Sequence, residues 1–207
     1  TNYLAQVGAA IYNSMAASDT NAIWYQMSWT YTGPNWTMDR FGALTKAVPL
    51  GKLVYLDYAG GFYGGCSNFF GAPFIECEVG NFGGSTYFNA PLNQAAGMTS
   101  PLSVSNCVGI GATLEGLGNN QVLYNVLFER PWLTTYNQSA WVANYASSRV
   151  GSPDTNVIAA WSILNNVGLL SYENFSYSSF DSSVNGYSDA GFHDLAVQTY
   201  QSMQNGY

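Results

Sequence analysis

Charge is the scarcest commodity in this chain. Of its 207 residues 8% are charged, and five Lys and Arg face twelve Asp and Glu, for a net charge of −7. A nucleic-acid binder needs a basic stripe to neutralise phosphates, and none is present. An anionic membrane surface is disfavoured for the same reason. There is one histidine, His193, and no Cys-x-x-Cys or Cys/His cluster, so neither a metal site nor a cofactor is expected. No Gly-x-Ser-x-Gly or P-loop pattern occurs, which leaves Ser/His/Asp hydrolysis and phosphate binding without support. No apolar run reaches the roughly 18 residues of a membrane span, and no signal-peptide pattern opens the chain. Cys66, Cys77 and Cys107 make an odd count, compatible with one disulfide and a free thiol or with a partner outside this chain.

What the chain does hold is apolar and aromatic residues, 47% hydrophobic and 16% Phe, Trp and Tyr. That suffices for one domain with a sizeable core, or for part of a larger one. Three glycosylation sequons, at Asn35, Asn137 and Asn174, point to secretion or to a lysosomal or vacuolar compartment.

The first two thirds alternate strand and helix. "TNYLAQVGAAIYNSMAASD" reads as a helix with Leu4, Val7, Ile11 and Met15 on one face. "NAIWYQMSW" reads as a strand, and "TMDRFGALTKAV" as a short helix capped by Thr37. "GKLVYLDYAGG", "APFIECEVGNFGG" and "CVGIGA" read as strands, the first two closed by glycine-rich loops. After "CVGIGA" comes a turn with Glu115. A helix follows, with Asn119 or Asn120 as cap, Val122, Leu123, Val126 and Leu127 on one face, and Pro131 as stop. This spacing suggests parallel βα units, in which chemistry sits at the carboxyl ends of the strands. The last third is helical: "SAWVANYASSRVG", "SPDTNVIAAWSILNNVG" with Ser152 capping ahead of Pro153, and "DAGFHDLAVQTYQSMQ". In the second, Val157, Trp161, Leu164 and Gly168 continue one face. The domains expected are 1–135, strand and helix, and 136–207, helical.

The candidates for chemistry follow from the strand ends. Glu115 reads as a catalytic carboxylate beside glycines that admit a ligand to the backbone, or as a solvated acid near a helix start. Glu76 and Glu78 share one side of their strand. Facing a barrel interior they would repel and one pKa would rise, as for a general acid; the alternative is an exposed strand face. Trp24 and Trp29 lie on opposite sides of theirs, as core residues or with one stacked on a sugar. Asp57 is a hydrogen-bonded structural acid or a site residue. His193, beside Asp194 in the last helix, reads as a surface or core histidine.

Taken in order, "YLAQVGAAIYNSMAASDTNAIWYQMSW", "LVYLDYAG", "GAPFIECEVGNFGG", "VGIGATLEGLGNNQVLYNVLFERPW", "WVANYASSRVG" and "AAWSILNNVG" resemble the alpha-N-acetylglucosaminidases of glycoside hydrolase family 89. The resemblance runs from Tyr3 to Gly168. It implies the second half of a (β/α)8-like barrel followed by an all-helical region. It also implies a retaining exo-hydrolase that removes terminal alpha-linked N-acetylglucosamine. The family's nucleophile sits in a Pro-Glu-Gly turn, here Leu114-Glu115-Gly116, so Glu115 inherits that role. The second carboxyl, about 5–5.5 Å away in a retaining enzyme, belongs to an Asn-Glu segment that precedes the first helix in the family and is lacking here. The N-terminal remainder, in cis or as a separate chain, is therefore an expected partner. Trp29 would border the sugar, with Asn81, Asp57 and Glu78 as further substrate-binding residues. The sequence departs from the family at Met27 and Ser28, which replace Gln and Gly. It departs again at Glu76, Glu78 and Gly80, where an aromatic residue and a histidine are lost and two acids gained. These changes bear on sugar specificity, and they motivate the alternative of an inactive carbohydrate-binding or structural protein.

Overall fold

The computed structural model describes residues 1–58, 61–81, 92–97, 99–114 and 121–166. By its internal contacts the chain divides into two units, Thr1–Val79 with Met98–Thr113, and Gly80–Gly97 with Leu114–Tyr207.

The first unit is a βα array. Helix α1 (Asn2–Ser18) leads to β1 (Trp24–Met27), α2 (Met38–Thr45), β2 (Leu53–Asp57), the single turn α3 (Phe62–Gly65) and β3 (Phe74–Asn81). Strand β4 (Cys107–Leu114), in the first unit up to Thr113, completes a four-stranded sheet in the order β1-β2-β3-β4, and α4 (Leu92–Gly97) belongs to the second unit. Strands β1, β2 and β3 pair in parallel, in the registers Tyr25↔Val54 and Asp57↔Glu76. Thr37 caps α2 as expected, its hydroxyl accepting from the Arg40 N–H.

The core explains the aromatic surplus. Phe41 of α2, Tyr55 of β2, Phe69 and Phe74 are fully buried. Tyr55 stacks on Phe69 at 4.5 Å, and Phe41 meets Tyr31 at 4.5 Å and Tyr55 edge-on at 5.3 Å. Each such pair contributes about 0.5–1.5 kcal/mol beyond its buried area. The Tyr55 hydroxyl is satisfied inside the core. Thr45 donates to the Phe41 carbonyl at 3.0 Å, so its oxygen is left to accept from Tyr55 at 2.7 Å.

Helix α1 buries a different face from the one its apolar spacing suggests. Gly8 and Tyr12 are buried and Leu4 and Ala16 pack on the core, while Ile11 is exposed. The reason is Gly8. A Cβ there would lie 2.6 Å from the Leu44 carbonyl oxygen, so the bare glycine lets α1 approach the α2 backbone. In a free helix Gly→Ala raises stability by about 1 kcal/mol. Here Gly8→Ala is expected to lower it by about 1–3 kcal/mol through overpacking, read as a loss of Tm in thermal unfolding. A rise in Tm would show that the two helices do not meet at Gly8.

A second feature carries no sequence signal. Ser67, Asn68, Phe69 and Phe70 have φ between 48° and 56°, in the left-handed region. Each costs on the order of 1–3 kcal/mol. Burial of Phe69 offsets this, and the Asn106 amide clamps the turn by donating to the Asn68 and Ala72 carbonyls at 2.7 Å each.

The second unit is helical after β4: α5 (Gln121–Glu129), α6 (Gln138–Val150) and α7 (Thr155–Asn166). Val122, Leu123, Val126 and Leu127 are buried on α5, the face expected. Glu129 accepts from the Trp141 indole at 2.8 Å, and Gln138 donates to Asn165 at 2.7 Å. Asn137 caps α6 and Gly151 ends it at φ 80°. Helix α7 starts later than Ser152–Pro153 implies: Asp154 accepts from the Asn156 and Val157 N–H groups and is the cap. A carboxylate at that place satisfies two free helix donors, which Ser152 is too far back to reach. The helix expected over Asp189–Gln204, with His193, lies outside the described residues, as does Gly168.

Candidate active site

The carboxyl ends of β1 and β2 are tied by a buried network. Strand β1 stops at Met27, and Ser28–Tyr31 turn into a 3₁₀ helix. Trp29 thus stands on the turn rather than on the strand, exposed, while Trp24 packs on the core. The strand stops because Ser28 turns its hydroxyl inward. It donates to Asp57 Oδ1 at 2.9 Å and accepts from the Tyr58 N–H at 3.2 Å. The other Asp57 oxygen accepts from the Tyr63 N–H in the first turn of α3, at 2.9 Å. Asp57 is fully buried, and these bonds replace the water it loses.

Glu76 stands in register beside Asp57. Strand alternation puts it and Glu78 on the face that carries Tyr55 and Phe74, the face packed against α2. Both are 2% exposed, so the exposed-face alternative is set aside. The Glu76 carboxyl is pushed up to about 8, first by burial and then by the Asp57 charge, with a smaller push from Glu78; the Gly61 N–H pulls it partly back. Its Oε2 accepts no hydrogen bond from the described residues. At neutral pH Glu76 therefore holds its proton. Such a group has the ionisation of a general acid, but it lies against the core rather than open to a substrate.

The cysteines are three free thiols, with Cys66 and Cys77 buried. Burial raises all three; Cys66 is pushed to about 11 and Cys77 to about 12, the latter also by the charges of Glu76 and Asp57. None is a ready nucleophile. Among the described residues no group of three or more His, Cys, Asp or Glu could hold a metal ion, and no helix is long and apolar enough to cross a membrane.

Of the residues singled out from sequence, the structure brings Trp29, Asp57 and Glu78 to the strand ends of the first unit. For Asn81, the last residue of β3, only the backbone is described. Glu115 follows β4 in the chain and lies outside the described residues, as does Asn174; Asn35 and Asn137 are exposed. Ser28, Gly61 and Tyr63 complete the network and had no assigned role. Their partners are distant in sequence, and only the Gly-to-Ser departure at position 28 marked the place.

A parallel sheet alternating with helices, its polar groups gathered at the strands' carboxyl ends, is the arrangement of α/β-barrel enzymes. The chain belongs to the family of the alpha-N-acetylglucosaminidase (NAGLU) tim-barrel domain, whose model matches residues 1–134. It is thus part of an α/β barrel, followed by helices. It is 32% identical over 173 residues to human alpha-N-acetylglucosaminidase, covering 79% of this chain and 23% of that protein. The chain therefore spans about a quarter of that relative's length. Its fold is similar to that of a family 89 glycoside hydrolase from Clostridium perfringens in complex with PUGNAc. The TM-score is 0.68 at 22% identity, over 84% of this chain and 19% of that one. CpGH89 from the same bacterium, in complex with its substrate GlcNAc-alpha-1,4-galactose, gives a TM-score of 0.65 at 23% identity over 80% and 18%.

Proposed function

We propose that the full-length protein is a retaining exo-glycosidase that removes terminal alpha-linked N-acetylglucosamine. The observation that carries this is the sequence Leu114-Glu115-Gly116, which begins at the last residue of β4 and lies inside the segment that matches the family. Glu115 attacks the anomeric carbon, the bond to the leaving oxygen breaks, and a glycosyl-enzyme forms. An acid/base carboxyl from sequence outside this chain protonates that oxygen and then activates the water that releases the sugar. Trp29 borders the sugar. Asp57, Asn81 and Glu78 are further substrate-binding residues in this reading.

The partner that supplies the acid/base also covers apolar surface. Tyr25 and Met27 on β1 and Val108 on β4, the two edge strands among the described residues, are exposed. Closing a barrel over them would bury side chains that water does not favour. Secretion or lysosomal or vacuolar residence is supported by the exposed sequons at Asn35 and Asn137. A glycan amidase should lower the mass of protein from its native source; unchanged mass argues against this location.

The first test is release of chromophore from a chromogenic alpha-N-acetylglucosaminide by the full-length protein. Turnover is expected. Binding of the sugar with no turnover would favour a retired glycosidase that retains only recognition.

A further inference from the structure

Three features of the turn after β1 stand together. Ser28 is 0% exposed and Tyr31 4% exposed, while Trp29 between them is 52% exposed. Tyr31 is fixed by its ring contacts with Trp36 at 4.7 Å and Phe41 at 4.5 Å. Ser28 is fixed by two hydrogen bonds to β2 and the residue after it. The turn's own bonds, from the Thr32 N–H and hydroxyl to the Trp29 carbonyl and from Gln26 to the Thr30 hydroxyl, close it locally. They do not tie it to the neighbouring strand. Ser28 ties the first residue of the turn to β2 and the residue after it, and Tyr31 at its far end meets Tyr55 of β2 edge-on at 5.8 Å.

We propose that Ser28 is a positioning residue: its hydroxyl, bridging Asp57 and the Tyr58 N–H, fixes where the Trp29 indole stands, and so sets how well the protein holds a pyranose ring. The sugar-facing part rests on the reading of Trp29 given above; the latch itself does not. An indole stacks on a sugar through flat contact of ring on C–H face, so a displaced ring loses contact without losing any catalytic group. The hydroxyl is suited to the task because it donates and accepts at once. Removing it takes one donor from Asp57 Oδ1 and leaves the Tyr58 N–H without its acceptor.

Two substitutions separate this role from general support of the fold. Ser28→Ala breaks the tie to Trp29 and keeps the Tyr63 N–H on Asp57. Asp57→Asn weakens the hold on α3 but keeps a bond to Ser28. Its carbonyl can accept from the hydroxyl, or, turned over, its NH2 can donate to the hydroxyl oxygen. The full-length protein labelled with 5-fluorotryptophan, with the Trp29 signal assigned through Trp29→Phe, reads the ring by fluorine NMR. The signal should move and broaden in Ser28→Ala and stay near its place in Asp57→Asn. KM for the alpha-N-acetylglucosaminide should rise about tenfold in Ser28→Ala, the loss of one well-made contact, with kcat within about twofold. An unmoved signal in Ser28→Ala, or equal displacement by both substitutions, overturns the proposal. A moved signal with unchanged KM upholds the latch and overturns the place of Trp29 at the sugar. If Ser28→Ala does not fold, Ser28→Cys keeps the volume with a weak S–H donor and predicts the same displacement, smaller.

Discussion

Glu115→Gln in the full-length protein should lower kcat for a chromogenic alpha-N-acetylglucosaminide by a factor on the order of 10⁴–10⁶, the scale on which loss of a catalytic nucleophile is felt. The amide has nearly the shape of the carboxylate and none of its nucleophilicity. Sugar binding made by other groups should survive, so KM should change much less than kcat. That split separates a nucleophile from a residue that only helps to bind. Activity within about tenfold of the parent would remove Glu115 from the chemistry. It would return it to a solvated acid at a helix start.

Glu76→Gln should make the protein more stable, and the gain should grow with pH. Glu76 ionises at about 8 in the folded state against its ordinary value of 4.5. Below the ordinary value both states hold the proton, and the native state bears no penalty. Between the two values the unfolded chain releases the proton while the folded chain keeps it. Stability then falls as pH rises and levels off above about 8. The amide carries no charge at any pH, so the variant lacks this fall. Side by side, the two should unfold alike near pH 4 and differ by a few kcal/mol near pH 8. The other titrating groups are common to both proteins and cancel in the difference. Parallel stability profiles across this range would mean that Glu76 is hydrated or paired, and that the buried carboxylates of β2 and β3 do not share one unfavourable environment.

The strands were legible because they are rich in β-branched and aromatic residues, with glycine-rich sequence after β2 and β3, and because α2 carries its own cap, Thr37. The buried face of α5 was legible for a similar reason, since four apolar residues at helical spacing leave no second choice. The face of α1 was not. A glycine looks like an interruption until the Leu44 carbonyl is seen against it. Period two shows that Glu76 and Glu78 share a side, but it is symmetric, and only the packing of α2 on Tyr55 says which side. The Ser28 network was out of reach because its partner lies 29 residues away. The cap of α7 was misassigned since Pro153 marks a helix start equally well two residues early, and the Asp154 carboxylate decides it. The barrel, by contrast, came from the resemblance carried by the strand-end segments, which no single motif supplies.

The most direct measurement is to trap the glycosyl-enzyme. Full-length protein would be mixed with a 5-fluoro alpha-glycosyl fluoride of N-acetylglucosamine, a substrate whose second step is slowed, and then examined by intact mass and peptide mapping. The expected result is a gain of one fluorinated sugar, attached to the peptide that contains Glu115 and absent in Glu115→Gln. Turnover with no adduct, or an adduct on a different carboxylate, would contradict the assignment of Glu115 as the nucleophile of a retaining glycosidase.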